Sequence, residues 1–254
     1  MTDQGRRRFL ECAGLGVVGL ATGKLLPSSG KASEGAPATG RPVRWAMVVD
    51  TVACAGKPGC TACIDLCHRV HNVPTVDEPG HEVKWVWESK VADALPDEAS
   101  EHADDPLAAR LVLTLCNHCD DPPCARVCPT AATWRRDDGI VMMDWHRCIG
   151  CRYCMAACPY GSRSFNFVDP RLHLKTIDPS FPTRTKGVVE KCTLCQERLD
   201  RGQRPACVEA CPAGALSFGD LNDPQSPVRT ALRGRHGVRR RPGLGTQPAV
   251  YYLL

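Results

Sequence analysis

The sequence is short of ordinary core material: only 6% of its 254 residues are aromatic, with 5 Phe, 5 Trp and 4 Tyr. The length suits one large domain or two small ones, so cross-links or metal centres are expected to do part of the work of folding. Charge of one sign is lacking too. The formal net charge of +4 is spread along the chain without an aromatic-and-basic repeat, so no nucleic-acid partner is expected. The longest apolar candidate, residues 13–26, falls well short of the ~20 residues that span a bilayer. There is no P-loop, no Gly-rich dinucleotide fingerprint after a strand, no G-x-S-x-G and no C-x-x-C-H haem site. His68 and His71 near Asp65 are the nearest thing to an acid–base group, and they sit in a cysteine loop. The expectation is a protein that makes and breaks no bonds itself.

What the chain does have is 17 Cys, 22 Gly and 21 Pro. Cys12 falls in an N-terminal segment that reads as an address. Arg6-Arg7-Arg8-Phe9-Leu10 is followed by the weakly apolar stretch 13–26, by small residues, and by a candidate Ala36-Pro37-Ala38 cleavage site. The twin arginine followed by x-Phe-Leu is similar to a twin-arginine (Tat) export signal. Residues 1–38 are therefore expected to be the signal and residues 39–254 an exported, periplasmic product. That pathway carries proteins already folded, which suits a chain whose metal centres are inserted first.

The other sixteen cysteines form four runs: Cys54-x5-Cys60-x2-Cys63-x3-Cys67, Cys116-x2-Cys119-x4-Cys124-x3-Cys128-Pro129, Cys148-x2-Cys151-x2-Cys154-x3-Cys158-Pro159 and Cys192-x2-Cys195-x11-Cys207-x3-Cys211-Pro212. The third matches the bacterial ferredoxin run C-x2-C-x2-C-x3-C-P without deviation. The others are that run with loops inserted between ligands, so four [4Fe–4S] clusters are expected. Three thiolates on a tight loop reach one cubane; the fourth, expected to start a short helix, points away and binds the neighbouring cluster.

That rule gives Cys54, Cys60, Cys63 and Cys211 for a first cluster, and Cys192, Cys195, Cys207 and Cys67 for a second. A third takes Cys116, Cys119, Cys124 and Cys158, and a fourth takes Cys148, Cys151, Cys154 and Cys128. Cys54, behind the only lengthened first gap, is the ligand least fixed by the pattern. A disulfide framework is disfavoured because cysteines two residues apart make strained bridges. Zinc ribbons are disfavoured because four ligands complete a zinc site, leaving no use for runs of three plus one closing in proline.

Between the runs, residues 46–50, 164–167 and 215–218 read as strands, and 133–144 as a hairpin turning at Asp138-Gly139. The fold class is α+β, a duplicated bacterial two-cluster ferredoxin-like fold with inserted loops. Residues 44–80 and 186–221 are expected to form one two-cluster lobe and 114–168 the other. Residues 81–113 and 169–185 are insertions, serving either as caps over the clusters or as partner contacts. In the first insertion residues 81–88 resemble a strand, with one of Trp85 and Trp87 in the core and the other exposed. Residues 222–254 read as a C-terminal docking tail. Its six arginines between Arg229 and Arg241 form either a solvated run or a strip for a membrane or acidic partner. His118 and His146, beside ligands, are read as sulfur hydrogen-bond donors or surface groups.

The run Gly139-Ile-Val-Met-Met-Asp-Trp-His-Arg-Cys-Ile-Gly-Cys-Arg-Tyr-Cys-Met-Ala-Ala-Cys-Pro-Tyr-Gly-Ser-Arg-Ser-Phe-Asn166, with Glu190-Lys-Cys-Thr-Leu-Cys195 and Pro205-Ala-Cys-Val-Glu-Ala-Cys-Pro212, resembles a known family. It is the four-cluster electron-transfer β subunits of dimethyl sulfoxide, polysulfide and nitrite reductase type membrane oxidoreductases. The resemblance covers roughly residues 44–254, to the ending Leu244-Gly-Thr-Gln-Pro-Ala-Val-Tyr-Tyr252; the lengthened Cys54 gap departs from it. Within that family, His71-Asn-Val-Pro74, Lys84-Trp-Val-Trp87 and Met143-Asp-Trp-His146 are most similar to the DsrO type, the exported ferredoxin-like subunit of the Dsr transmembrane complex of sulfur metabolism. That resemblance implies an integral membrane quinone-interacting subunit, a multihaem cytochrome c and other Dsr subunits as partners, holding the chain at the membrane surface. The β subunit of an exported molybdopterin reductase or a hydrogenase is the alternative, and a zinc- or disulfide-stabilised binding scaffold is the alternative of another class.

Overall fold

The computed structural model describes residues 42–98 and 109–254. The N-terminal segment read as an export signal, with Cys12, lies outside these residues, as does most of the acidic stretch 96–106. Mixed short strands and helices make an α+β, ferredoxin-like architecture, as the cysteine rhythm predicts. No described helix is long and apolar enough to cross a membrane.

In chain order the elements are β1 (Trp45–Asp50), α1 (Thr51–Ala55), α2 (Ala62–Val70), β2 (Val86–Lys90), α3 (Val91–Ala94), β3 (Leu111–Leu115), α4 (Pro123–Arg126), β4 (Thr133–Arg135), β5 (Val141–Met143), α5 (Tyr153–Ala157), β6 (Ser164–Phe165), β7 (Val189–Glu190), α6 (Gln196–Leu199), α7 (Ala206–Ala210), β8 (Leu216–Asp220), α8 (Pro227–Leu232), β9 (Gly237–Val238) and β10 (Val250–Leu253). The principal sheet has the order β8-β1-β10-β9, with β1 parallel to β10 and antiparallel to β8. The remaining strands pair as three antiparallel ribbons, β2-β3, β4-β5 and β6-β7.

Asp50 ends β1 and caps α1: its Oδ1 accepts from the N–H groups of Val52 and Ala53 at 3.1 and 3.0 Å, which swings the chain toward Cys54. The hairpin turns as the sequence predicts, with Gly139 at φ 87°. The core runs through the principal sheet and β2-β3, and several cysteines belong to it: Cys63, Cys67, Cys116, Cys192 and Cys207 pack among Met47, Trp85, Val86, Leu115 and Tyr252.

Several expectations are corrected. Residues 222–254 are no tail. They supply α8, β9 and β10, and β10 lies inside the principal sheet. Their arginines are not a uniform solvated run either: Arg240 is 5% exposed and donates to the Ala94 carbonyl, while Arg235 pairs with Asp50. In the first insertion the strand begins at Val86 rather than at residue 81, because the N–H of Lys84 is taken by Ser164 Oγ at 2.8 Å. Trp85 is fully buried, and Trp87 is half-buried rather than exposed. The strand expected over 164–167 stops at Phe165.

The fourth cysteines do not start helices. Cys158 and Cys211 close α5 and α7 in extended conformation, at φ/ψ of −82°/109° and −72°/106°. Each precedes proline, which disfavours the α region for its neighbour. Cys67, followed by His68, lets α2 run on to Val70.

Candidate cluster-binding sites

Each cysteine run bends at the same place. The residue before its second cysteine is left-handed in all four: Gly59 at φ 72°, His118 at 42°, Gly150 at 70° and Leu194 at 58°. This turn folds the loop back on itself and brings its first three thiols together. Gly suits it without strain, whereas His118 and Leu194 adopt it at a cost of ~1–2 kcal/mol.

The structure then gathers the thiols by fours. Cys67, Cys192, Cys195 and Cys207 line one narrow cavity with Met47, Trp85 and Leu115. Cys116, Cys119, Cys124 and Cys158 line a second, with Val141 and Tyr160. Cys128, Cys148, Cys151 and Cys154 line a third beside Ala132, Ile149 and Val189. The last four lie together as well. Burial raises the Cys54 thiol, with Cys211 the next influence and Cys60 also felt; burial pushes Cys63 up to about 11, reinforced by Cys211 and Cys54. Cys54, set on α1 by the Asp50 cap, thus faces the others despite its long gap. All sixteen described cysteines are free, so no disulfide framework exists among the described residues.

These donor sets fit [4Fe–4S] clusters. Each is four soft sulfurs in largely apolar walls. Backbone N–H groups already point at sulfur: Leu194 to Cys192, Ala206 to Cys195 and Ala215 to Cys211, each at 3.3 Å. Burial pushes the Cys119 and Cys192 thiols up to about 12. Without metal such thiols stay protonated at neutral pH, and loading releases those protons. Cys128 differs: burial raises it, but hydrogen bonds from Thr133, Thr130 and Ala132 outweigh that and lower it.

The groups also fall in an order. Cys67 and Cys207, raised first by burial, both feel Cys63 of the Cys54 group. Cys192 feels Cys116 more than any other thiol, and Cys154, beyond burial and Arg163, feels Cys124. The sequence of groups is thus Cys54, Cys67, Cys116, Cys128. The two middle ones are buried, apart from a half-buried Cys158, while Cys151 at one end is exposed, and Cys54 and Cys60 at the other are half-buried.

Several polar residues around these groups carry no motif. Glu190, fully buried, accepts from Trp85 Nε1 at 2.8 Å and Asn166 Nδ2 at 2.6 Å, and pairs with Arg184 at 2.5 Å. Lys191, also buried, donates Nζ to the carbonyls of Val141 and Cys192. Arg163 donates to Cys124 Sγ at 3.1 Å. His71 does not engage Asp65: its Nε2 bonds Glu197 at 3.0 Å, Nδ1 bonds the Cys67 carbonyl at 2.8 Å, and Asp65 accepts from Thr61. His118 is not a surface group, and its Nε2 is buried without a partner among the described residues. It is buried, its pKa is driven well down by burial and then by Lys191, and its Nδ1 accepts from the Val141 N–H at 3.1 Å. His146 is exposed.

A family model described as a 4Fe-4S dicluster domain matches residues 108–170 and 178–221. The Hdr-like menaquinol oxidoreductase iron-sulfur subunit 1 of Archaeoglobus fulgidus is 40% identical over 97% of this chain and 97% of its own length. The menaquinone reductase iron-sulfur cluster-binding subunit of Nitratidesulfovibrio vulgaris is 35% identical, covering 83% and 89%. The iron-sulfur subunit of an arsenate respiratory reductase from a Shewanella species is 33% identical over 83% and 96%. With the gathered thiols, these likenesses identify a protein of multiple [4Fe–4S] clusters: the chain belongs to the family of 4Fe-4S dicluster iron–sulfur subunits, the electron-transfer subunits of oxidoreductase complexes.

Proposed function

We propose that the chain carries electrons through four [4Fe–4S] clusters in a row, one in each thiol group, as a periplasmic subunit of a Dsr-type transmembrane complex. The observation that carries the wire is the gathering of thiols from different runs: Cys67, Cys128, Cys158 and Cys211 each leave their own run for another. Interlocking of this kind is the habit of two-cluster ferredoxins, and it supports a duplicated ferredoxin-like fold. When bound, a cluster takes up or gives one electron with little change of shape. The chain's own residues space the groups, keep water from the middle two and leave both ends near the surface. At the Cys128 end, Ile149 and Tyr153 are 66% and 62% exposed, a patch suited to a partner's face.

The Dsr-type assignment rests on the resemblance of His71–Pro74, Lys84–Trp87 and Met143–His146, and on the relative named for menaquinol oxidation. It calls for an integral membrane quinone-interacting subunit and a multihaem cytochrome c as partners, with a module linked to dissimilatory sulfite reductase across the membrane. The twin-arginine segment supports export. The relative named for arsenate respiration favours a second reading, the β subunit of an exported molybdopterin reductase. Affinity isolation of the native complex, with haem, iron and molybdenum measured together, separates the two. A co-purifying multihaem cytochrome c supports the first, and a large molybdenum subunit replaces it with the second. A colourless chain holding zinc would overturn both.

A further inference from the structure

Arg163 is 5% exposed. Its Nη2 donates to Cys124 Sγ at 3.1 Å; Nη1 donates to Thr133 Oγ1 at 3.0 Å and lies 3.6 Å from Met143 Sδ. Among the described residues no carboxylate reaches it. Of the other buried guanidinium groups, Arg184 is matched by Glu190 at 2.5 Å and Arg44 by Asp120 at 2.7 Å, while Arg240 has the Ala94 carbonyl and the Tyr160 ring. A guanidinium stays charged inside a protein, and a buried charge without a counter-charge is strongly disfavoured. The cost falls if the group that faces Arg163 is negative.

Its position says which group that is. Burial works against its charge, but Cys124, Cys154 and Cys116, when ionised, outweigh that. Cys116 and Cys124 belong to the third group and Cys154 to the fourth, so Arg163 stands at their junction.

We propose that Arg163 is a shared counter-charge for the clusters of the Cys116 and Cys128 groups, raising the reduction potential of both. This rests on the cluster assignment above. A thiolate-bound cubane is net negative and gains one further negative charge when the neighbouring cluster passes it an electron. A fixed cation stabilises the reduced form more than the oxidised one, and its hydrogen bond to sulfur acts in the same sense. Arginine gives up no proton in the step, so the contribution does not vary with pH. The effect is graded: strongest at the Cys116 group, whose Cys124 takes the hydrogen bond, weaker at the Cys128 group, and negligible at the Cys54 group, farthest along the order.

The test is an anaerobic potentiometric titration followed by electron paramagnetic resonance on the full chain, as wild type, Arg163→Gln and Arg163→Lys, with iron measured in each. Iron content and the number of cluster signals test the cluster assignment; the shifts test this inference. Arg163→Gln is expected to keep its iron, yet at fixed potential the oxidised-to-reduced ratio of two clusters should rise at least tenfold, a fall of 59 mV for one electron. Arg163→Lys should recover most of that shift. Unchanged potentials in a fully loaded Arg163→Gln protein, or equal shifts at all clusters, would overturn the proposal. Should Arg163→Gln lose its clusters, wild-type protein grown on 15N-arginine decides. Weak nitrogen modulation of the reduced-cluster signals must change with the label, and its absence would sink the idea.

Discussion

Glu190 sits with both oxygens committed: Trp85, Asn166 and Arg184 all donate to it, and none of the four side chains touches open water. Removing the carboxylate leaves Arg184 as a buried cation with carbonyls for company. Glu190→Ala should therefore cost ~3–5 kcal/mol, read as a lower denaturant midpoint and a smaller yield of brown soluble protein. Glu190→Gln, keeping the shape, should do less harm. A second residue-scale outcome concerns the bend before each second cysteine. At Gly150 a Cβ would lie 2.4 Å from the Gly187 carbonyl oxygen, and φ is +70°. Gly150→Ala should cost at least the ~1–2 kcal/mol of a left-handed L-residue, and the cluster most readily lost should be the one held by Cys148, Cys151 and Cys154.

Among the elements, β10 matters most to the principal sheet. It lies between β1 and β9, with Val250 and Tyr252 only 1% and 0% exposed. Deleting residues 250–254 would bare the hydrogen-bonding edge of β1, the strand that leads into Cys54. The truncated chain should be insoluble or lose amide protection in β1 and β8 on hydrogen exchange; a protected, soluble product would contradict the assignment of this segment to the fold. Nothing local marks β10 as central. It has four residues, and its parallel partner β1 stands near the other end of the chain, so its sequence alone reads as part of a tail. Helix starts are expected from the sequence at Cys158 and Cys211, although the proline that follows each disfavours the α region there and marks a helix end. Three cysteines of each group are readable because they lie close together in one run, and the borrowed fourth follows from the habit of two-cluster ferredoxins. The partners of Glu190, Arg163 and His118 are not, because each contact joins segments far apart in the chain.

At the scale of the molecule, metal and core are one structure. Cys63, Cys67, Cys116, Cys192 and Cys207 pack within the main hydrophobic cluster, so stripping iron with a chelator under anaerobic conditions should abolish fixed tertiary packing, seen as a lost near-ultraviolet circular dichroism signal. The raised thiols give the sign with pH. With Cys63 at about 11 and Cys119 and Cys192 at about 12 in the metal-free fold, protons compete with iron, so cluster retention should weaken as pH falls. The exposed Ile149 and Tyr153 should affect transfer to a partner rather than the clusters themselves. Ile149→Ser with Tyr153→Ser, which adds no charge beside the cluster, is expected to slow partner reduction about tenfold with potentials little moved, measured by stopped-flow absorbance. The interlocking of the runs is tested most directly by comparing which electron paramagnetic resonance signal disappears in Cys67→Ser, Cys63→Ser and Cys207→Ser proteins. The account expects Cys67→Ser and Cys207→Ser to abolish the same cluster signal while Cys63→Ser abolishes another. Loss of one common signal in Cys63→Ser and Cys67→Ser, with Cys207→Ser affecting a different one, would contradict it.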